Sequence, residues 1–200
     1  MSEHYYSQTQ KVESQPKTWR YSLNGSSFVF KTDNGVFSKA EVDFGSKLLI
    51  ETFMEPQIEG NILDVGCGYG PIGLSAAKKL STRTVHMVDV NTRALGLAKE
   101  NAELNHIKNV HVYESDRLEK VKGNKFAAIL TNPPIRAGKQ VVHEIFEQSY
   151  EALLPEGELW VVIQKKQGAP SAIEKLSDLF PEVETVVKKK GYFIIKAKKD

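Results

Sequence analysis

Spaced glycines that directly follow a short apolar segment are the first residues in this sequence whose pattern indicates chemistry. Residues 61–70 read NILDVGCGYG, with glycines at Gly66, Gly68 and Gly70. Glycines at such a point let the backbone approach a ligand closely and leave the N-terminal amides of the next helix free. The segment therefore predicts a ligand-binding turn, and the acid that precedes it, Asp64, helps to define the ligand.

The glycine spacing by itself admits two kinds of ligand. Gly68, Gly70 and Gly73 fit the dinucleotide fingerprint, and Asp89 follows where an acid that binds ribose hydroxyls is expected. Asp64, however, would repel a pyrophosphate, whereas it suits the cationic amino-acid portion of S-adenosylmethionine. We therefore predict S-adenosylmethionine as the cofactor rather than NAD. Capping of a helix or turn is the alternative role of either acid.

A third acid and an Asn-Pro-Pro sequence extend the candidate site. Asp116 follows the third apolar segment, where it could accept a hydrogen bond from an adenine amino group or remain a solvated loop acid. Asn132, Pro133 and Pro134 follow the fourth. Two prolines remove two N–H donors and fix the backbone, so this loop presents acceptors. The side-chain carbonyl of Asn132 and the main-chain carbonyl of Pro133 could hold one planar NH₂ group; a plain turn is the alternative.

The elements that must position these residues alternate regularly along the chain. Apolar segments predict strands at Ile62–Val65, Val85–Val90, Val110–Tyr113, Phe126–Thr131 and Glu158–Ile163. Helical periodicity predicts helices at Ile72–Leu80, Ala94–Leu104 and Val141–Leu154. This alternation predicts an α/β fold with an open, mostly parallel sheet and helices on both faces. In such sheets ligands bind at the carboxyl ends of the strands, where the motifs lie.

The two ends of the chain depart from this alternation. Residues 1–17 are polar and without period, so we predict a mobile arm, followed by a domain over residues 18–200. A small β prefix is expected over residues 18–40 and the catalytic core over residues 41–200. At the other end, Val183–Val187 and Tyr192–Ala197 are separated by only four residues and predict an antiparallel hairpin that completes seven strands. We interpret the three lysines between these segments, Lys188, Lys189 and Lys190, as part of an ordinary solvent-exposed turn.

Composition excludes several classes of protein. No apolar run is long enough to span a membrane, and the polar N-terminus lacks the core of a signal peptide, so we expect a cytoplasmic protein. The lone Cys67 can form no intramolecular disulfide, and the histidines show no metal-ligand spacing, so we expect no metal. A net charge of only +2 means that any nucleic-acid contact must be local.

The sequences DVGCGYG, VDVN and NPPI, in this order, resemble those of class I methyltransferases, and specifically the ribosomal RNA small-subunit guanine-N2 methyltransferase family. The resemblance runs from about Val36 to the C-terminus. Larger members of that family carry an additional N-terminal domain that has no counterpart in this sequence. The glycine turn is typical of the cofactor class, Asn-Pro-Pro of enzymes that methylate planar amines, and only the surrounding residues point to guanine.

The resemblance implies a role for each matching position. It implies that Asp64, Gly66, Gly68 and Gly70 surround the methionine portion, that Asp89 binds the ribose hydroxyls, that Asp116 lies at the adenine, and that Asn132, Pro133 and Pro134 hold the target amine. Lys39 and Asp43 fall in a segment that closes over the cofactor in such enzymes. Arg136 and Lys139 could contact a substrate phosphate. For these four residues an ordinary surface role is the alternative.

We therefore predict an S-adenosylmethionine-dependent N-methyltransferase whose partner is RNA, with ribosomal RNA or the small ribosomal subunit as the expected substrate. A flipped or unpaired base would enter the site. A protein-glutamine or small-molecule methyltransferase is the first alternative, although such enzymes favour an aromatic residue where this chain has Ile135. A cofactor-binding partner subunit without catalysis is the second, and an intact Asn132 argues against it. The oligomeric state does not follow from the sequence.

Overall fold

A computed structural model describes residues 5–200 of the chain. Its strands are β1 Lys17–Leu23, β2 Ser26–Thr32, β3 Asn61–Val65, β4 Val85–Asp89, β5 Val110–Glu114, β6 Phe126–Thr131, β7 Leu153–Gln164, β8 Glu182–Lys189 and β9 Tyr192–Lys198. Its α-helices are α1 Phe44–Thr52, α2 Pro71–Lys79, α3 Thr92–Leu104, α4 Lys139–Ala152 and α5 Ala169–Leu179. No helix among these residues has the length and apolar character needed to cross a membrane.

The main sheet has seven strands in the order β5-β4-β3-β6-β7-β9-β8. Neighbours from β5 to β7 pair in parallel, whereas β9 runs antiparallel to both β7 and β8. The order reverses between β3 and β6, so the loops after these two strands leave the same edge of the sheet side by side. The predicted α/β fold with its C-terminal hairpin is confirmed.

Helices cover both faces of the sheet because successive side chains of each strand point to opposite faces. On one face, Trp160 and Val162 of β7 belong to a core shared with α1, α2 and α3. On the other, Leu159 and Val161 belong to a core shared with α4 and α5. Every residue of the central strand β6 is buried. The strands β3, β4 and β6, from which the motifs emerge, are therefore rigidly held.

The predicted β prefix is a separate two-stranded antiparallel sheet, β1 and β2, joined by a tight turn at Asn24 and Gly25. Both turn residues have positive φ (49° and 76°), as Asn-Gly hairpin turns require. The hairpin is attached to α3 by side-chain amides: Asn105 accepts from the Val29 N–H and Asn101 from the Lys31 N–H, at 2.9 and 2.7 Å. The prefix is thus part of the body of the domain.

The described part of the predicted N-terminal arm, residues 5–16, lies along the start of α3, while residues 1–4 lie outside the described residues. The Gln8 carbonyl accepts from the Thr92 backbone N–H at 3.1 Å, and the Arg93 guanidinium donates to the carbonyls of Gln10 and Val12. Mobility of the arm stays a prediction, but its path brings it to the edge of the sheet where the motifs converge.

Candidate functional site

A cavity opens at the carboxyl ends of β3, β4 and β6 and holds about 720 Å³ of empty space, its mouth included. It is lined by segments that are far apart in the sequence. These are Tyr5 and Tyr6, Asp43 and Ser46 around the start of α1, Gly66, Cys67, Gly68 and Tyr69 after β3, Asp89 and Asn91 at the end of β4, and Asn132, Pro133 and Pro134 after β6. Half of the twelve residues predicted for the site thus meet in one place: Gly66, Gly68, Asp89, Asn132, Pro133 and Pro134.

The glycine turn forms the floor of this cavity. Gly66, Gly68 and Gly70 all have positive φ, at 73°, 57° and 109°, which side chains rarely adopt. A Cβ atom added at Gly66 or Gly68 would meet no heavy atom within 4 Å, so the backbone at these positions faces open space. Gly70 precedes α2, and no side chain caps the helix there. Pro71 has no N–H and the Gly73 N–H donates to Asp64, so within the described residues the Ile72 amide is the first-turn donor that remains for a ligand.

Asp89 is the carboxylate on the cavity wall. One oxygen accepts from the Gly68 N–H at 2.8 Å and the other from the Asn91 N–H at 2.9 Å, so the side chain ties the glycine turn to the start of α3. Burial raises the pKa of Asp89, while the backbone hydrogen bonds oppose that shift. Val90 supplies a third backbone hydrogen bond, so about one of the roughly four acceptor positions of the carboxylate remains for a ribose hydroxyl.

Asp64 lies beneath the glycine turn, fully buried, and not on the cavity wall. Its Oδ2 atom accepts from the Gly73 N–H at 2.8 Å, while Oδ1 has no hydrogen-bond partner among the described residues. Burial raises the pKa of this carboxyl to about 8, against the effect of the Gly73 hydrogen bond and with a smaller contribution from the charge of Asp89. An unpartnered buried acid next to a ligand cavity suits a cationic group nearby.

Position 73 requires a glycine because the backbone of α2 there lies very close to side chains of β3 and β4. A Cβ atom at this position would lie 2.6 Å from Cγ of Met87 and 2.9 Å from Oδ2 of Asp64. The first turn of α2 therefore packs directly on β3 and β4, as the third glycine of the fingerprint predicts.

Asp116 lies beyond the rim of the cavity, and its carboxylate is engaged by Arg117 at 3.0 Å. The same Arg117 guanidinium also contacts Glu144 of α4. The Tyr6 hydroxyl lies beside the Asp116 carboxylate, which together with burial raises the pKa of Tyr6. The predicted adenine acceptor is therefore partnered by a guanidinium and a phenol in this structure.

Asn132 is held in one orientation by the residues that begin α1. Its Nδ2 amide donates to Ser46 Oγ at 3.0 Å and to Asp43 Oδ2 at 3.3 Å. Asp43 is itself the N-cap of α1 and accepts from the Ser46 N–H at 2.9 Å. Because both donors of the amide point at α1, its carbonyl oxygen remains as an acceptor, with no donor to it among the described residues. Asn132 lines the cavity, as the acceptor hypothesis requires.

The rest of the Asn-Pro-Pro loop is buried and fixed. Pro133 and Pro134 both line the cavity, and the Pro134 carbonyl accepts from the Ala137 N–H at 2.9 Å. Below the loop, Thr131 Oγ1 donates to the Val65 carbonyl at 3.0 Å, which joins the ends of β6 and β3. The Asn-Pro-Pro loop and the glycine turn are thus connected by a direct hydrogen bond between their strands.

The predicted substrate-contacting residues lie outside the cavity. Lys39 and Arg136 are exposed and line a wide groove that shares Tyr5, Asn132 and Pro133 with the cavity. Lys139, the first residue of α4, lines a separate apolar depression with His143. Burial and the neighbouring Lys139 and Lys175 lower the pKa of that His143. The structure therefore brings Lys39 and Arg136 together but places Lys139 to one side.

Several lining residues were not predicted from the sequence. Tyr5 and Tyr6 stood in a segment to which we assigned no chemistry, and the adjacent aromatic pair within a polar stretch was the available signal. Ser46 carried no signal at all. Cys67 fits its expected structural role: it is buried, and burial, followed by the charges of Asp89 and Asp64, raises the pKa of its thiol and keeps it protonated.

Comparison with known proteins finds similarity over most of the chain. The methyltransferase small domain family matches residues 27–196. The uncharacterized protein YbxB of Bacillus subtilis (strain 168) is 64% identical over 200 residues and is covered completely, as is this chain. The ribosomal RNA small subunit methyltransferase C of Vibrio cholerae is 29% identical over 94% of this chain, and that of Haemophilus influenzae (strain PittEE) is 34% identical over 73% of it.

A solved structure of a methyltransferase is also similar to this chain over most of its length. The T. thermophilus 16S rRNA N2 methyltransferase RsmC, in complex with AdoMet and guanosine, superposes with a TM-score of 0.83 and 25% identity over 96% of this chain. The present chain covers 52% of that protein and 54% of the Vibrio relative. It thus spans about half the length of the ribosomal RNA methyltransferases that it matches.

Proposed function

Since this chain belongs to the methyltransferase small domain family, we propose that it methylates the exocyclic N2 amine of a guanine in ribosomal RNA. The broader predictions of enzyme class and cofactor are confirmed: the protein is a class I methyltransferase that depends on S-adenosylmethionine. The RNA, its guanine and the residues assigned to each step are the proposal.

The observation that carries the proposal is the fixed amide of Asn132. A planar NH₂ group offers two donors, and the loop offers the Asn132 side-chain carbonyl and the Pro133 main-chain carbonyl as acceptors on the cavity wall. Because Asp43 and Ser46 hold the amide nitrogen, Asn132 cannot flip and present a donor instead. A donor there would repel the hydrogens of the amine, so this orientation selects for an NH₂ substrate.

The cavity residues also fit the cofactor. The bare glycine backbone and the Asp89 carboxylate would hold the methionine and ribose portions of the cofactor. The buried Asp64 carboxyl, whose raised pKa of about 8 keeps it largely protonated at neutral pH, would ionise when the cationic amino group binds nearby. When bound, S-adenosylmethionine supplies a methyl group made electrophilic by the sulfonium charge.

The protein's own contribution to the reaction is alignment and charge stabilisation. Two acceptors on the amine hydrogens direct the nitrogen lone pair away from the loop and toward the cofactor side of the cavity. The same acceptors stabilise the positive charge that develops on nitrogen as the new bond forms. The proton then leaves the methylated amine without any covalent intermediate on the enzyme.

Guanine in RNA is favoured over the alternatives by the relatives, by Ile135 and by the orientation of Asn132. The similar proteins from Vibrio and Haemophilus are named as ribosomal RNA methyltransferases, and the similar Thermus structure contains guanosine. Ile135 stands where enzymes that modify protein glutamine favour an aromatic residue. A non-catalytic partner subunit would have no use for the fixed orientation of Asn132.

The test is transfer of labelled methyl from S-adenosylmethionine to RNA, small ribosomal subunits and protein extract in parallel, followed by nucleoside analysis. We expect N2-methylguanosine, and we expect Asn132→Ala to reduce turnover by about a hundredfold or more while binding of S-adenosylhomocysteine is retained. Asn132→Asp keeps an acceptor and should be more active than the Ala variant. Asn124→Ala, at an exposed position on another loop, serves as the matched control. Label in protein and none in RNA would refute the proposal.

A further inference from the structure

The turn of the C-terminal hairpin lies at the same edge of the sheet as the candidate site. Because β9 is antiparallel to β7, its first residue Tyr192 pairs with the last residue of β7, Gln164. The backbone N–H of Lys165 donates to the carbonyl of Gly191 at 2.8 Å, which joins the loop after β7 to the hairpin turn. Two lysine-rich segments that are distant in the sequence thus become neighbours. We call their five lysines the lysine ridge: Lys165, Lys166, Lys188, Lys189 and Lys190.

The ridge carries unneutralised positive charge. All five lysines are exposed, and none forms an ion pair with the acids of residues 5–200. Further along the same hairpin, Lys196 pairs with Glu184 at 3.3 Å and Lys198 with Glu156 at 3.6 Å. Five cations that form no ion pair within residues 5–200 therefore lie in two adjoining segments of a chain whose net charge is only +2.

The ridge borders the groove that leads to Asn132. Gln164, Gln167 and Tyr192 line the groove and adjoin the ridge lysines in sequence, and Lys39 and Arg136 line the groove too. Lys190 places its ammonium 4.9 Å from the centre of the Phe44 ring at the start of α1. The ridge lysines thus lie beside one end of a groove that also carries Lys39 and Arg136 and reaches Asn132.

Aromatic side chains accompany the charge. Phe37 is 45% exposed, lines both the groove and the cavity, and packs against Tyr5 with ring centroids 5.2 Å apart. Proteins that bind single-stranded nucleic acid combine a basic surface with exposed aromatic rings. The cations contact the phosphates, and the bases stack on the rings. An acidic peptide would use the charges but not the rings.

We propose that the lysine ridge binds the phosphate backbone of single-stranded RNA and so delivers an unpaired base through the groove to Asn132. This proposal rests on the proposed function for the identity of the base, but not for the binding of RNA. The ridge would supply substrate affinity that the small net charge of the whole chain cannot supply.

The experiment measures binding of a labelled, unstructured RNA oligonucleotide over a range of salt concentrations. The double variants Lys165→Gln/Lys166→Gln and Lys189→Gln/Lys190→Gln each remove two ridge charges. The matched control is Lys99→Gln/Lys108→Gln, two exposed lysines on and just after α3. Each lost phosphate contact should lower the slope of log affinity against log salt by about 0.7, so each ridge variant should lower it by up to about 1.4 and weaken binding at 0.1 M salt by roughly tenfold or more.

Unchanged slopes in the ridge variants, or equal losses in the control variant, would overturn the proposal. So would a polyglutamate competitor that displaces the RNA as well as unlabelled RNA does, because the surface would then be specific only for negative charge. Binding of S-adenosylhomocysteine should be unaltered in every variant. The two proposals can fail separately. If the ridge variants lose RNA binding but the wild-type enzyme does not methylate guanine, the lysine ridge is supported and the proposed function is refuted.

A different observation concerns the N-terminal segment, whose backbone is anchored beside the cavity. Asn91, the N-cap of α3, donates to the Tyr5 carbonyl at 2.8 Å, and the Gln8 carbonyl accepts from the Thr92 hydroxyl at 2.9 Å. These contacts place the Tyr5 and Tyr6 rings on the cavity wall, with Tyr6 beside Asp116. We infer that the Tyr6 ring binds the adenine end of the cofactor directly.

This inference is tested by calorimetry with S-adenosylhomocysteine. Tyr6→Ala should weaken binding by about tenfold and raise the KM for S-adenosylmethionine at unchanged kcat, because stacking of the ring on the adenine base is lost. Tyr6→Phe should retain most of the affinity, and Val12→Ala on the same segment is the control. Unchanged binding by Tyr6→Ala would refute the inference, and tighter binding would show instead that the ring obstructs the site.

Discussion

Replacement of Asp64 by asparagine tests the electrostatics beneath the glycine turn most directly. The carboxyl is fully buried, with a pKa of about 8 and one oxygen without a partner. In an unfolded chain the same group has a pKa near 3.9. Between these two values the folded protein holds one proton more than the unfolded chain. The free energy of unfolding should therefore fall as the pH rises through this window, by about 1.4 kcal/mol per pH unit from this group alone.

From pH 5 to pH 7 Asp64 should thus cost the ligand-free protein about 3 kcal/mol of stability. Asp64→Asn cannot ionise and keeps an acceptor for the Gly73 N–H, so this part of the pH dependence should disappear. Asp89, whose pKa burial also raises, contributes to the slope in both proteins and therefore cancels in the difference. The measurement is urea unfolding of both proteins at several pH values between 5 and 8.

Asp178→Asn, an exposed carboxyl-to-amide change on α5, is the control and should follow the wild type at every pH. The reasoning fails if the stabilities of the wild type and Asp64→Asn run parallel from pH 5 to pH 7. A second readout concerns the ligand: if Asp64 ionises to accommodate the cationic amino group, binding of S-adenosylhomocysteine at pH 6 should release close to one proton. Calorimetry in buffers of different ionisation enthalpy measures that number, and no release would exclude this coupling.

Three further predictions follow from the packing around the site. Gly73→Ala should destabilise the protein by about 1–3 kcal/mol, because the added Cβ atom would collide with Met87 and Asp64. Gly96→Ala should not destabilise it, because no heavy atom lies within 4 Å of the added Cβ atom. Thermal unfolding of the two variants measures the difference. Asp89→Ala should weaken binding of S-adenosylhomocysteine by about 1–3 kcal/mol, and calorimetry should detect no binding of NAD to the wild type. Asp43→Ser retains a helix cap but withdraws one of the two partners of the Asn132 amide, so kcat should fall by about tenfold with little change in thermal stability. Steady-state kinetics and thermal unfolding measure the two effects.

Local sequence determined the elements and the cofactor class. The glycine turn after β3 and the acid at the end of β4 were both predictable, because each depends on residues that are adjacent along the chain. The antiparallel hairpin at the C-terminus followed equally from the shortness of its turn. Covalent connectivity and backbone geometry alone constrain such features, so no knowledge of distant contacts was needed.

Contacts between residues that are far apart in the sequence determined the remaining features of the candidate site. Asp64 was predicted to lie at the methionine portion of the cofactor, and packing of α2 on β3 and β4 through Gly73 determines that its carboxyl lies under the turn and off the cavity wall. Its role toward the cofactor stays a prediction. Asn132 was predicted as an acceptor, yet the partners that fix its amide come from α1, some 86 residues away in the sequence.

Sequence by itself therefore determined which chemical groups this protein possesses and which edge of the sheet they occupy. Tertiary structure decided which of them face the ligand, and it assembled surfaces that no local pattern contains. The clearest case is the lysine ridge, whose two segments are ordinary solvated turns when considered singly. They become one charged surface only because β9 turns back antiparallel beside β7, a pairing that depends on burial of both strands in the shared sheet.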